Sequence, residues 1–472
     1  MYGMMIIYHT KDNIMFHEIH VQKIRKSIEQ KNIKYKNKLN SISKNVSELK
    51  NVFSESLIRV DGEIPIDLPI TNGDRFLFIS YEQTRYSHGI HKYPAKFFPE
   101  LPRWLIKKYS KPNDWILDPF GGSATIGIEA ILNKRNSVCV DIDPFAQFIA
   151  KVKTTFLDIE ELELYTDILI KKITQYKEIK ITLQDIPCFP YRDNWFEDFI
   201  IKELAYIKKT ILQLPISKEL SLFFLACFSS IIRSVSNADD NCTRTVVRKI
   251  LNKQIYPSMA LASFVEKLLL YKSKIEEFIK CYNNNVEVII STDSDARQLK
   301  YADNYFDLAV TSPPYVNAVD YPRTHQLELY WLDLAVGSLT HLKKKQIGTE
   351  SVSIDDYSKF NEIGIKIADE ILYKIYKEDK RRAFIAYKFL FDMEKNLIEV
   401  YRTLKPKGKY AIVIGNNQIR GNNFESWKYL MSIAERNNFK IQTYFGSEII
   451  KHFIKIKRDE RINTDWIIIL EK

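Results

Sequence analysis

Residues 115–130 read WILDPFGGSATIGIEA, and no other stretch restricts the fold as tightly. A short apolar strand ends in Asp118, a glycine turn follows at Gly121 and Gly122, and an amphipathic helix begins with Ser123 as its expected cap. Glycines in such a turn let backbone come close to a nucleotide-like ligand at the carboxyl end of a parallel strand. A side chain at Gly121 is expected to fill that cleft. The pattern is not the dinucleotide fingerprint GxGxxG, and no Gly-Lys-Ser/Thr follows to make a phosphate-binding loop. About 20 residues on, SVCVD (Ser137–Asp141) reads as a second strand. Its terminal carboxylate is placed to meet ribose hydroxyls, and Ile142 is available to pack on an adenine face. An open α/β sheet, doubly wound and Rossmann-like, is the fold such a unit belongs to.

A second motif lies far downstream. Thr311–Tyr315, TSPPY, directly follows an apolar run, Phe306–Val310, that reads as a buried parallel strand. Two consecutive prolines forbid helix and hold the chain extended, leaving a carbonyl at Pro313 that no helix or ladder consumes. That carbonyl and the Ser312 hydroxyl are acceptors for an exocyclic amino group, while Tyr315 offers a flat face for stacking on a base drawn out of a duplex. A Pro-Pro after any strand is equally a rigid loop, so the motif draws its meaning from the glycine loop upstream.

At 472 residues the chain exceeds a usual single domain. The expected organisation is an N-terminal helical extension (1–75), the first half of the sheet (76–155), a helical insertion (156–284), and the second half of the sheet (285–472). A net charge of +11 suits a polyanionic partner, although the chain is rich in lysine throughout. Within the insertion, Arg233, Arg244, Arg248 and Lys249 punctuate a Ser/Asn/Thr-rich run that reads either as a phosphate and base contact or as a polar helix junction. After the tetrapeptide come Asn317, Asp320, Arg323 and His325, and the stretch 323–403 is a further candidate for DNA contact. His325 reads as a proton acceptor or, more commonly, as a structural hydrogen-bonder. The five cysteines show no metal spacing, and no metal is expected. With no apolar run of the 18 or so residues that span a bilayer and no signal-peptide pattern at the start, a cytoplasmic, nucleoid-associated place in a bacterium or archaeon is expected.

These residues together resemble the S-adenosylmethionine-dependent DNA methyltransferases that modify exocyclic amino groups, N4 of cytosine or N6 of adenine. HKYPAKF (His91–Phe97) is similar to the family's segment ahead of its cofactor loop, DPFGGSAT to that loop, VDIDP (Val140–Pro144) to its ribose-binding strand end, and SDAR (Ser294–Arg297) to its adenine-edge segment. TSPPY is similar to its catalytic tetrapeptide. The resemblance implies that Tyr93, Pro94, Lys96, Phe97, Asp118, Pro119, Phe120, Gly121, Gly122, Ser123, Thr125, Asp141, Ile142, Asp143, Asp295, Ala296 and Thr311 bind S-adenosylmethionine. Asp295 is then the acceptor for the adenine amino group. It implies that Ser312, Pro313, Pro314 and Tyr315 are catalytic, and that double-stranded DNA is the substrate, with a cognate restriction endonuclease as partner. Arg233, Arg244, Arg248 and Arg323 are then candidate DNA contacts. Two departures stand out: Ala124 replaces a usual third glycine, and the cofactor half precedes the tetrapeptide, whereas many N4-cytosine members run the other way. Serine in the first position of the tetrapeptide points to cytosine N4. The alternatives are N6 of adenine, an RNA methyltransferase, or an inactive DNA-binding module.

Overall fold

Apolar runs too short for helices become strands of one sheet. The computed structural model describes residues 21–33, 46–50, 56–176, 181–247, 253–282, 285–316, 319–449 and 464–472. Their strands are β1 (Val46–Lys50), β2 (Ser56–Asp61), β3 (Arg75–Ile79), β4 (Trp115–Asp118), β5 (Asn136–Val140), β6 (Val288–Ser291), β7 (Phe306–Thr311), β8 (Leu404–Gly415), β9 (Asn417–Ile419), β10 (Asn422–Phe424), β11 (Lys440–Glu448) and β12 (Thr464–Glu471). Strands β9 and β10 form a separate hairpin, and the others lie in the order β1-β2-β3-β11-β12-β8-β7-β4-β5-β6.

From β8 to β6 every neighbour is parallel, whereas β12 runs antiparallel to both β8 and β11. The chain order reverses between β4 and β7. From β4 the sheet grows outward through β5 and β6, and from β7 it grows the other way through β8. A crevice opens at such a switch point, beyond the carboxyl ends of the strands, and it is where open α/β sheets take their ligands.

Both faces of the sheet are covered, so its inner strands are apolar on both sides. Leu117, Ala309, Ile412 and Ile468 face the helices Lys366–Glu378, Lys380–Thr403 and Ser426–Arg436. Ile116, Leu308, Val413 and Ile467 face Trp104 and Leu105 of the helix Glu100–Tyr109, and Ile126 and Ala130 of the helix Thr125–Leu132. The insertion forms four long helices, Ile159–Thr174, Asp198–Leu212, Lys218–Ile232 and Met259–Ile279. Their buried side chains join Ile128, Phe145 and Ile149 in one core, which anchors the block to the helices that follow β4 and β5.

The N-terminal region departs from the helical extension expected of it. Residues 21–33 are helical, with Val21, Ile24 and Ile28 packed on the insertion and Arg25 paired to Asp167 at 2.7 Å. Residues 46–50 and 56–61, however, pair as antiparallel strands, and β2 and β3 carry the sheet outward beyond β11. Charged residues within VSELK and SLIRVD mask the period-two pattern that reveals a strand. No helix among the described residues is long and apolar enough to cross a membrane.

Candidate active site

The loop between β4 and the next helix is drawn tight by its own backbone. The Gly121 amide donates to the Val140 carbonyl at 2.8 Å, and the Gly122 amide donates to Oδ2 of Asp141 at 2.8 Å. The carboxylate at the end of the second strand thus staples the glycine loop while its ring of lone pairs is only partly used. A Cβ on Gly121 would lie 2.9 Å from the Cβ of Cys139, so this glycine permits close packing of loop on β5 rather than keeping the cleft open, as the sequence had suggested. Gly122 has φ +47°, in the left-handed region, and its missing side chain faces Tyr93.

Helix capping also differs from expectation. Ala124, not Ser123, is the N-cap, in a left-handed conformation (φ 58°) and without a side-chain bond. Ser123 is consequently free of the helix: its hydroxyl is buried and has no hydrogen-bond partner among the described residues. An orphaned buried hydroxyl beside a glycine loop is a group waiting for a ligand atom.

One cavity, about 900 Å³ including its open mouth, collects the site. Tyr93, Lys96, Phe97, Asp118, Pro119, Phe120, Gly121, Gly122, Ser123, Thr125, Asp141, Ile142, Asp143, Asp295 and Ala296 line it, with Ser312 and Pro314 of the tetrapeptide. Pro94, Thr311, Pro313 and Tyr315 do not. Sequence reasoning missed Ala95, Ile126, Arg297, Tyr321, Gln346 and Ile347, which complete the wall. Ala95, Ile126 and Arg297 lie within motifs already read, whereas Tyr321, Gln346 and Ile347 come from segments carrying no motif of their own, so only the tertiary fold reveals those three.

The cavity is electrostatically acidic. Burial pushes the Asp118 carboxyl up to about 7, against hydrogen bonds from the Thr311 hydroxyl (2.7 Å) and the Phe120 amide (3.1 Å). Burial, reinforced by the neighbouring Asp143, raises Asp141 to about 7 as well. Asp143 is raised by burial, though its Oδ1 caps the helix Pro144–Thr154 through Phe145 and Ala146. Carboxylates recessed together without a countercharge favour a cationic occupant. Asp295 differs, because both of its oxygens are held by Arg297 at 2.9 and 2.7 Å, which keeps it below the usual carboxylate range despite burial. Lys96 is no counter-ion either. Its ammonium donates to the Gln83 and His88 carbonyls (3.0 and 2.9 Å), and burial lowers it to about 8. Its stem lines the wall while its head fastens the strained segment in which His91 and Ala95 both have positive φ. Ser123, the glycine cradle and the acidic wall fit S-adenosylmethionine, whose sulfonium and α-ammonium are both positive.

The tetrapeptide stands opposite. Tyr315 donates from its hydroxyl to Oδ1 of Asp465, on β12, at 2.8 Å, and burial pushes the phenol well above the usual tyrosine range. Tyr315 is therefore a strut rather than the stacking face expected from the sequence. Its ring does not reach the cavity. The aromatic surface near the site is instead a pile of rings: Tyr93 stacks on Tyr321 at 5.7 Å and on His325 at 5.2 Å, and His325 stacks on Phe145 at 4.4 Å. His325 is buried, both its ring nitrogens lack partners among the described residues, and burial drives it well below an ordinary histidine, so it is neutral and behind the wall.

The arginines expected at DNA separate. Arg233 donates to the carbonyls of Asp239 (2.8 Å) and Thr243 (3.2 Å) and to that of Cys242, so it shapes its own loop and is no phosphate ligand. Arg244 is exposed and Arg323 is half-buried. Arg248, Lys249 and Asn317 lie outside the described residues.

A parallel sheet with a glycine-loop crevice at its switch point and an acidic cavity suits a nucleotide-like, positively charged cofactor. A family model described as DNA methylase (N6_N4_Mtase) matches residues 2–152. The chain is similar to Type II methyltransferase M.MvaI of Kocuria varians, 26% identical over 74% of this chain and 82% of that protein. It is also similar to Type II methyltransferase M.BsoBI of Geobacillus stearothermophilus, 28% identical over 77% of this chain and 81% of that protein. A SAM-dependent methyltransferase structure from Methanosarcina mazei, 12% identical and covering 81% of this chain and 98% of its own, has a TM-score of 0.28, and at that score the likeness carries no weight. The family-model match and the similarity to these Type II methyltransferases support a DNA amino-methyltransferase, the family described as acting on N4 or N6.

Proposed function

We propose that the protein is a site-specific DNA methyltransferase that modifies N4 of cytosine in duplex DNA after the base is flipped out, protecting host DNA from a partner endonuclease. The observation that carries the base assignment is the Ser312 hydroxyl, a neutral group on the wall of the cavity that Asp118, Asp141 and Asp143 also line. S-adenosylmethionine, when bound, supplies an electrophilic methyl group on a sulfonium.

The protein's own residues do the rest. Asp118 and Asp141 present carboxylates to the positive cofactor, and Ser123 offers it an uncommitted hydroxyl. Ser312 offers its hydroxyl lone pairs to an N–H of the target amine, and the Pro313 carbonyl is the second acceptor. Two such acceptors favour a pyramidal nitrogen with its lone pair aimed across the cavity, a positioning effect. The methylated amine is acidic enough to release its proton to water, so His325, neutral and behind Tyr93, has no proton to take. A pyrimidine fits a pocket whose first residue is serine, because a neutral hydroxyl suffices where an acidic or amide side chain would grip adenine.

Methylation-aware sequencing of DNA from cells expressing the protein, with mass spectrometry of the digested DNA, tests this reading. N4-methylcytosine at a defined motif is expected. N6-methyladenine as the sole product overturns the base assignment, and unmodified DNA overturns the activity.

A further inference from the structure

Three segments distant in sequence meet beside the cavity to form a cleft. Tyr191, Asn194 and Trp195 come from the turn ahead of the second insertion helix, Thr245–Val247 from the following loop, and Arg323 and Gln326 from the short helices after the tetrapeptide. They are not loosely apposed. The Asn237 amide donates to the Trp195 carbonyl at 2.8 Å, the Thr245 hydroxyl donates to the Thr324 carbonyl at 2.7 Å, and Ala238 bridges to Val247. Arg233, spent on the carbonyls between, holds this loop in shape.

What the cleft presents is unusual for an idle surface. Tyr191 is 76% exposed and has φ 60°, a left-handed conformation that a bulky residue rarely adopts. The side chains of Asn194, Arg323 and Gln326 make no hydrogen bond or ion pair within the described residues, although all three line the same space. The fork of Arg and the amides of Asn and Gln are the groups that pair bidentately with guanine and adenine edges in a major groove, and an exposed aromatic adds a stacking face. The cleft is also joined to the reaction site: Tyr321 lines the cavity and Arg323, two residues on, lines the cleft.

We propose that this cleft reads the base pairs flanking the flipped cytosine, with Asn194, Arg323 and Gln326 as specificity-determining residues and Tyr191 as a stacking contact. It rests on the DNA-methylating activity proposed above and assigns that activity its sequence reader.

The test is carried out on the full chain. The motif methylated by the wild-type protein is first read by methylation-aware sequencing. Arg323→Ala, Asn194→Ala, Gln326→Ala and Tyr191→Ala are then compared for their motif, their KM for a duplex carrying it, and their affinity for S-adenosylmethionine. The expected result is a relaxed motif at one position for each polar variant and a KM for DNA raised roughly tenfold, with cofactor affinity unchanged. Circular dichroism confirms folding, and Arg323→Lys, which keeps charge but not the fork, is expected to lose discrimination while retaining more affinity than Arg323→Ala. An unaltered motif and KM in all four alanine variants overturns the assignment of the cleft. Absence of methylation by the wild-type protein instead overturns the activity on which it rests.

Discussion

The hydroxyl of Thr311 donates a 2.7 Å hydrogen bond to Asp118, joining the last residue of the strand that precedes the tetrapeptide to the last residue of the strand that precedes the glycine loop. The two halves of the site, almost two hundred residues apart in the chain, thus meet through a buried contact, one end of which, Asp118, lines the cavity. Burial raises the Asp118 carboxyl and this bond opposes the rise.

Thr311→Val removes that donor and keeps the shape. The variant is expected to lose about 1–2 kcal/mol of stability, and to bind cofactor more weakly at neutral pH because Asp118 holds its proton to higher pH. Binding titrations from pH 6 to 9 should show the affinity curve displaced to the alkaline side. A curve superimposable on the wild type would remove Asp118 from the cofactor's electrostatics.

Asp118 and Asp141 sit at about 7 in the folded protein, well above the ordinary 3.8. Raised carboxyls bind protons in the folded state that the unfolded chain has already released. Their contribution therefore favours folding as pH falls from above 7 toward 4 and opposes it above 7. A cationic ligand reverses the balance by drawing both back toward ionisation. Binding of S-adenosylmethionine near pH 7 should release protons, and affinity should be higher at pH 8 than at pH 6. Calorimetry in buffers of contrasting ionisation heat measures the release, and zero protons released would contradict the acidic-wall assignment.

Tyr315→Phe leaves Asp465 buried without its donor and removes the anchor of the tetrapeptide's last residue. Turnover should fall by roughly tenfold with cofactor affinity intact, and Ser312→Ala should fall further, by on the order of 100-fold, as expected when a positioned transition-state hydrogen bond is lost. Single-turnover rates separate this outcome from slow product release. Normal rates in both variants would move the chemistry away from the tetrapeptide.

Gly121→Ala places a methyl against Cys139 rather than into the cleft. The expected loss is about 1–3 kcal/mol of stability from overpacking, read as a lower denaturation midpoint, with cofactor binding weakened only as the loop shifts. Full stability with abolished binding would restore the cleft-filling explanation.

The cofactor half was readable because its information is backbone information. Glycines at fixed intervals, a strand on each side and an acid at each strand end leave few other folds. Side-chain roles were harder to read. Ser123 looked like a helix cap because hydroxyls usually are, but Ala124 turns left-handed and takes that place. Arg233 looked like a DNA ligand because a guanidinium carries the same charge whether its partners are phosphates or the carbonyls of its own loop. Tyr315 looked like a stacking face until Asp465, 150 residues later, claimed its hydroxyl. Tyr321 and Gln346 escaped notice because nothing local marks them, and only the folding of the later chain brings them to the wall.

Strand β12 lies between β8 and β11, and it alone carries Asp465. Without this strand β8 and β11 would have no common neighbour and the sheet would fall into two parts. The Tyr315 hydroxyl would lose its acceptor at the same stroke. One strand thus both closes the sheet and steadies the tetrapeptide, so damage to it would register at the reacting position as well as in the scaffold.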